Sequence, residues 1–426
     1  MTMKSAFFKK LLSMLLVLML SLSLVFAISC GDGDDDDGEG NPPADDGGVN
    51  AEEGRDEFID NLGGVSETYE GAVSTTSYDT AEAAAEDYVA VEVVGTSNNA
   101  VIESVESKGE LNATEIEALG IPEEMSDGIQ AVEEIEVEYS VISDSSMDTG
   151  VSVLADTLNT TKKVKVYVIK YELEWKYFAP CPVTGETISK SYYDSVFDNA
   201  KYQNCTLVST SLVDIVMDMN YAGQDMGGTM TAIVNQTIKF DGNKVLFEQT
   251  ISNAATGSLV DQSITLGDEK LSAYMVADDD GNITCYVKQG DSTEWVEGYL
   301  TTIGFGTIEE LTPFYNQYLD YSYFTKTDFG FELSNENAQQ YINEALGSNL
   351  SLFNQFFGDD WQFDMYSEYY VSGGVLSGMR TDALFTASMT QSEGGMTVSM
   401  DMEEVVTSTI SVTDYGTTVV EQPFEN

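Results

Sequence analysis

Histidine is absent from all 426 residues. Its absence removes Ser-His-Asp and Cys-His catalysis, zinc sites built on imidazole, and any simple imidazole switch near neutral pH. Arginine is nearly absent too. Arg55 and Arg380 are the only two, which argues against a bidentate clamp for phosphate. Basic residues number 18 against 73 acidic ones, a formal charge of -55. A surface of that sign repels phosphates, so nucleic acid is not an expected partner, and anionic headgroups offer no direct attraction. Also missing are Cys-x-x-Cys, G-x-S-x-G, S-x-x-K and phosphate-loop motifs. Carboxylate pairs are everywhere, but a chain this acidic produces glycosidase-like spacings by chance. No catalytic residue, metal site or cofactor is therefore assigned, and the chain reads as non-enzymatic.

What is there begins at the N-terminus. Lys4, Lys9 and Lys10 precede an apolar run over residues 11–28, followed by Ser29 and Cys30. A basic segment, an apolar segment and a small residue before a break are the parts of an export signal. A run of about 18 apolar residues is also just long enough to span a bilayer, and the boundary decides between the two. Ala27-Ile28-Ser29-Cys30 resembles the bacterial lipobox, with Ala27 at the position usually held by leucine. The resemblance implies that residues 1–29 are a lipoprotein signal peptide and that Cys30 takes a diacylglyceryl thioether. It also implies an extracytoplasmic protein whose membrane partner is reached through that lipid. Gly31 follows, so the aspartate associated with inner-membrane retention in diderm bacteria is missing. Each buried methylene contributes about 0.8 kcal/mol, and two acyl chains hold where one is marginal.

Residues 31–50, GDGDDDDGEGNPPADDGGVN, contain no large apolar side chain besides Val49. Such a stretch cannot offset its ordering entropy, so 30–51 reads as an acidic disordered tether. Asp32, Asp34 and Asp36 have the alternate spacing of a calcium loop. Asp37, however, stands where that loop needs glycine, and no glutamate closes it.

Residues 52–210 have a mixed pattern. Asp79-Thr80-Ala81-Glu82 opens an Ala-rich helix over 80–91, and Asn112-Ala113-Thr114-Glu115 opens a shorter one stopping at Gly120. Strand-like runs cover 100–107, 129–141 and 163–178. One or two helices on an antiparallel sheet make a small α+β domain. The run VYVIKYELEWKYFAP (166–180) resembles the closing strands of cystatin-like or nuclear-transport-factor-like secreted domains.

From residue 211 strict alternation dominates. Val213, Ile215, Met217, Met219 and Tyr221 share one face; Met230, Ala232, Val234, Ile238 and Phe240 repeat the scheme before a turn at Asp241-Gly242-Asn243. Late in the chain Val398, Met400 and Met402 face one way, and Val406, Ile410 and Val412 keep that parity after Glu404. Helical spacing over 307–319 and 335–357 predicts two amphipathic insertions covering the apolar sheet face. Near the end come Asp414-Tyr415-Gly416 and Val420-Glu421-Gln422-Pro423. With the Met-rich meander and the insertions, this ending resembles the LolA/LppX-like half-barrel lipoproteins over 211–426. The resemblance implies a strongly curved antiparallel sheet roofed by a helical lid, several of whose relatives carry acyl chains. The whole is thus expected to be α+β: a small α+β domain, then the half-barrel.

Met217, Met219, Met230, Met400 and Met402 sit on parity-matched strands and are the candidates for a deformable apolar cavity. An ordinary core is the favoured account of any single one of them; it is their clustering that raises the cavity. Cys181 and Cys205 flank a Tyr-rich loop; they pair after export or remain thiols in a reducing habitat. Cys285 shares a face with Ile283 and Val287 and reads as a core thiol. The aromatic stretch 361–370 suggests a carbohydrate platform, but alternation within a strand accounts for most of it, and Asp278-Asp279-Asp280-Gly281-Asn282 reads as a turn rather than a calcium loop. The leading expectation is a membrane-anchored lipoprotein binding a lipid or other apolar small molecule. The alternative is a surface protein–protein interaction module with a filled core.

Overall fold

Period-2 alternation extends further through this chain than its helix signals do, and the structure follows the alternation. The computed structural model describes residues 55–62, 69, 71–94, 98–121, 125, 128–143, 161–221, 224–257, 264–278, 283–298, 321–334, 337–338, 361–393 and 396–424. The Cys30 lipidation site, the tether and the Asp279–Asn282 turn lie outside these residues, as do both helical insertions apart from Asn337 and Ala338.

The first half contains helix α1 (Arg55–Asn61), strand β1 (Ala72–Val73), helix α2 (Ala81–Tyr88), β2 (Asn98–Glu110), α3 (Ala113–Ala118), β3 (Ile129–Ser143), β4 (Lys162–Tyr171) and β5 (Glu174–Ala179). The strands form an antiparallel sheet in the order β1-β5-β4-β3-β2. Helix α2 is capped by Thr80, one residue later than the sequence pattern suggested; its hydroxyl accepts from the Ala83 N–H at 3.1 Å. Ala84 and Ala85 are fully buried, letting the helix lie close on Ile135, Val137, Val166 and Val168. Helix α3 has a complete capping box between Asn112 and Glu115. The run 163–178 is not one strand but the β4–β5 hairpin. Glu172 and Leu173 adopt positive φ (51° and 79°), the conformation a two-residue hairpin needs, without a glycine to signal it.

After α4 (Lys190–Val196) the chain enters the larger sheet. Its strands are β6 (Asn204–Tyr221), β7 (Gln224–Asp241), β8 (Lys244–Gly257), β9 (Ile264–Ala277), β10 (Ile283–Gln289), β11 (Val296–Gly298), β12 (Phe324–Thr327), β13 (Gly330–Leu333), β14 (Trp361–Ser372), β15 (Val375–Glu393) and β16 (Met396–Thr413). The order is β11-β10-β9-β8-β7-β6-β16-β15-β14-β13-β12, antiparallel throughout. Residue 210 therefore lies inside β6. Gly330, at φ +150°, starts β13 where any Cβ would fall 2.0 Å from the Tyr369 carbonyl oxygen.

The expected α+β half-barrel under a helical lid is corrected. The described residues are mostly strand, in two large antiparallel sheets with no closed barrel, since β11 and β12 stand at opposite ends of the order. The physical reason is visible in the helices: the four described α-helices have six to eight residues, too short to build a layer of their own. Likewise the acidic tail after the Asp414 turn is not a strand. It folds back through hydrogen bonds from Thr418 N–H to Asn204 Oδ1 (2.9 Å) and from Val420 N–H to Asp241 Oδ2 (3.2 Å).

The two sheets are joined by buried polar contacts. Glu92, in the π-helical turn Val89–Val93 after α2, accepts from the Tyr177 hydroxyl (3.1 Å) and from Ser191 N–H (2.7 Å) and Oγ (2.8 Å). Residues 185–188 pair along β12, through Gly185 N–H to Lys326 O and Ile188 N–H to Phe324 O, covering that edge of the large sheet.

Candidate functional site

Register places the side chains of β6, β16, β15 and β14 in rows across the inner face of the large sheet. One row pairs Met219 with Met400 and Met400 with Met389. The next runs Met217, Met402, Ala387, Trp361, and the next Ile215, Glu404, Phe385, Phe363. Beyond Val213, Val406, Ala383 and Met365 lies a row of hydroxyls: Ser211, Ser408, Thr381 and Ser367. Within it Ser211 and Ser408 hydrogen bond at 2.9 Å, as do Ser367 and Thr381. The inner face thus carries a methionine band and a hydroxyl belt.

Of the five methionines singled out from the sequence, Met219, Met400 and Met402 are buried. Met217 and Met230 are partly buried against the same core cluster, together with Met389 and Trp361. Four of the five meet as direct cross-strand pairs, and Met230 lies on the adjacent β7. Unbranched thioether side chains adapt to irregular apolar shapes, so this band suits a deformable contact surface.

Glu404 is the residue that sequence reasoning passed over. It is 2% exposed, and neither carboxylate oxygen has a hydrogen-bond partner among the described residues. Burial alone pushes its carboxyl up to about 7. The signal was in the alternation: residue 404 has the parity of Met402 and Val406, so an acid there must point inward.

The opposite face carries two further features. A groove of ≈ 550 Å³ is lined by Val216, Asp218, Asp401 and Glu403 from that face, and also by Trp361, Ala387 and Met402, which belong to the inner rows. Towards the β14–β15 turn, Arg55 binds a buried acid that stands opposite Arg380 in the register. Glu368 is fully buried. It takes Arg55 Nε at 2.9 Å, the Tyr366 hydroxyl at 3.0 Å and the Tyr370 hydroxyl at 2.5 Å. Arg380 stands directly opposite Glu368 in the β14–β15 register, with its Nε 2.9 Å from Asp382 Oδ2. That ion pair is misdirected for a hydrogen bond, leaving Arg380 Nε and Nη1 without an acceptor. Burial, then the carboxylates, pushes the Tyr366 and Tyr370 phenols above their ordinary value. The aromatic stretch 361–370 is therefore not a carbohydrate platform: Phe363 and Tyr369 lie in the core and Tyr370 in this network.

Of the two alternatives left open for Cys181 and Cys205, the structure has the thiols, and Cys285 is a thiol as well. Cys205 opens β6 with its Sγ on the Tyr202 carbonyl at 3.3 Å, and burial pushes its thiol up to about 12. Among the described residues, no group of three acidic or thiol side chains is arranged to hold a metal, and no helix is long and apolar enough to cross a membrane.

No family model matches the chain and no curated protein does so significantly. Solved structures similar to it include a DUF1329 family protein from Desulfovibrio piger, at 12% identity over 55% of this chain and 96% of that one, TM-score 0.17. OccK5 (OpdH) of Pseudomonas aeruginosa follows at 9% identity, covering 74% and 95%, TM-score 0.10, and OpdQ of the same organism at 10%, covering 66% and 86%, TM-score 0.09. At TM-scores this low these likenesses transfer neither fold nor function.

Proposed function

We propose that this chain is an extracytoplasmic lipoprotein, anchored through Cys30, that binds a lipid or other apolar ligand on the methionine band and catalyses no reaction. One observation carries the reading: Met219–Met400 and Met217–Met402 are stacked cross-strand pairs on one sheet face, flanked by partly buried Met230, Met389 and Trp361. A face that only closed a core would favour branched side chains with fixed rotamers, whereas thioethers suit a changing occupant. Native mass spectrometry of the purified chain should find an apolar molecule bound at one per chain. Repeated preparations without one, together with no uptake of a fluorescent apolar probe, would sink the idea.

The anchor has its own test. Palmitate labelling should disappear in Cys30→Ala, and the variant should leave the detergent phase for the aqueous one, because a chain this acidic has no other hold on anionic headgroups. Labelling that survives the substitution contradicts the lipobox reading. A second reading, a surface interaction module, draws on a different observation: Leu212, Val216, Ile233 and Val405 are exposed hydrophobics on the outward face of β6, β7 and β16.

A further inference from the structure

We infer that the ligand of the methionine band is an apolar chain bearing one amino group, with the Glu404 carboxylate as its counter-ion. The inference rests on the proposal that this face binds a ligand, and it names the ligand's chemistry. Glu404 is buried among Met402 and Val406 on its own strand, Phe385 on one side and Ile215 on the other, with both oxygens unpartnered. A buried acceptor left without a donor is costly, and the bonds to a charged donor are the strongest it can gain. An ammonium group supplies such a donor. A fatty-acid carboxylate would instead place a second negative charge beside the first, and an alcohol gives a single neutral hydrogen bond. The Phe363 and Phe385 rings, with centroids 6.5 Å apart, lie on the same row and offer faces that attract a cation.

The neighbouring surface has the matching sign. The groove on the outward face is bordered by Asp218, Asp401 and Glu403, yet it is also lined by Trp361, Ala387 and Met402 from the inner rows. Met402 lies two residues before Glu404 on the same face of β16. Asp218 and Asp401 are direct cross-strand partners, an arrangement of like charges that is unfavourable by itself and concentrates cations at that surface.

The test uses the chain carrying Cys30→Ser, which keeps every described residue while removing the lipid. Dodecylamine, dodecanol and dodecanoate are titrated calorimetrically below their micelle concentrations. Dodecylamine should bind roughly tenfold or more tighter than dodecanol, with dodecanoate weakest. Adding Glu404→Gln should abolish the preference for the amine and keep dodecanol binding. Infrared difference spectra need no further variant: dodecylamine should convert a protonated carboxyl band to the ionised form. Dodecanol binding with no amine preference, a preference that survives Glu404→Gln, or no change in the carboxyl band on amine binding overturns this inference alone. Failure of all three probes to bind overturns both it and the ligand-binding reading.

Discussion

Glu404→Met should stabilise the protein by about 3 kcal/mol more at about pH 8 than at about pH 4, because the folded carboxyl sits near 7 against an ordinary 4.5. The sign follows from proton binding. A folded state whose acid titrates higher holds its proton after the unfolded chain has released its own. Stability therefore falls as pH rises from the ordinary carboxylate value to about 7, and levels off above it. Replacing the acid removes that slope. The background from the other 72 acids is common to both proteins, so the difference between their urea melts across a pH series isolates residue 404. Glu404→Gln should flatten the same slope while leaving an unsatisfied amide in place. A wild-type slope that persists in both variants would show that Glu404 is solvated or paired.

Arg380→Met is expected to cost about 3–5 kcal/mol, the range for removing one partner of a buried ion pair. Its side chain is only 7% exposed and lies between Asp382, at 2.9 Å, and Glu368 across the strand pair. Removing the cation leaves Asp382 buried with, among the described residues, the Thr407 hydroxyl at 2.9 Å as its remaining hydrogen-bond partner, while Glu368 keeps Arg55. The double variant Arg380→Met/Asp382→Leu should recover a large part of the loss, since well-packed apolar residues replace buried pairs at little cost. Lys165→Met provides the contrast. Its 3.1 Å pair with Glu134 is solvent-exposed, where such pairs contribute about 0.2–1 kcal/mol. Thermal melts that place Arg380→Met no lower than Lys165→Met would refute the buried-network account.

These two sites differ in how far the sequence disclosed them. The methionine pairs were legible because alternation within each strand fixes which residues share a face, and Met217, Met219, Met400 and Met402 lie in two unbroken patterns. The Asp241–Asn243 turn was legible for a similar reason: Gly242 supplies the φ of +62° that a two-residue hairpin requires. The Arg55–Glu368 network was not. Its members come from α1, β14 and β15, and no local pattern says that an N-terminal helix will cover that stretch of sheet. The β4–β5 hairpin was hidden because Glu172 and Leu173 take a glycine-like backbone. Nor could alternation tell one sheet from two, since a strand's partner is chosen by chain topology and not by its own residues.

Topology also governs when this protein can finish folding. The central seam of the large sheet is β6 against β16, which in turn pairs with β15. β6 is the first strand of the sheet in chain order, and β16 is the last. That edge of β6 is paired by residues 396–413, so it stays bare until those residues have emerged. Pairing across such a long stretch of sequence is slow, and open strand edges recruit other chains. A nascent chain is most vulnerable in the interval before residues 396–413 emerge. Loss of residues 396–413 would remove the keystone of the sheet rather than trim its border.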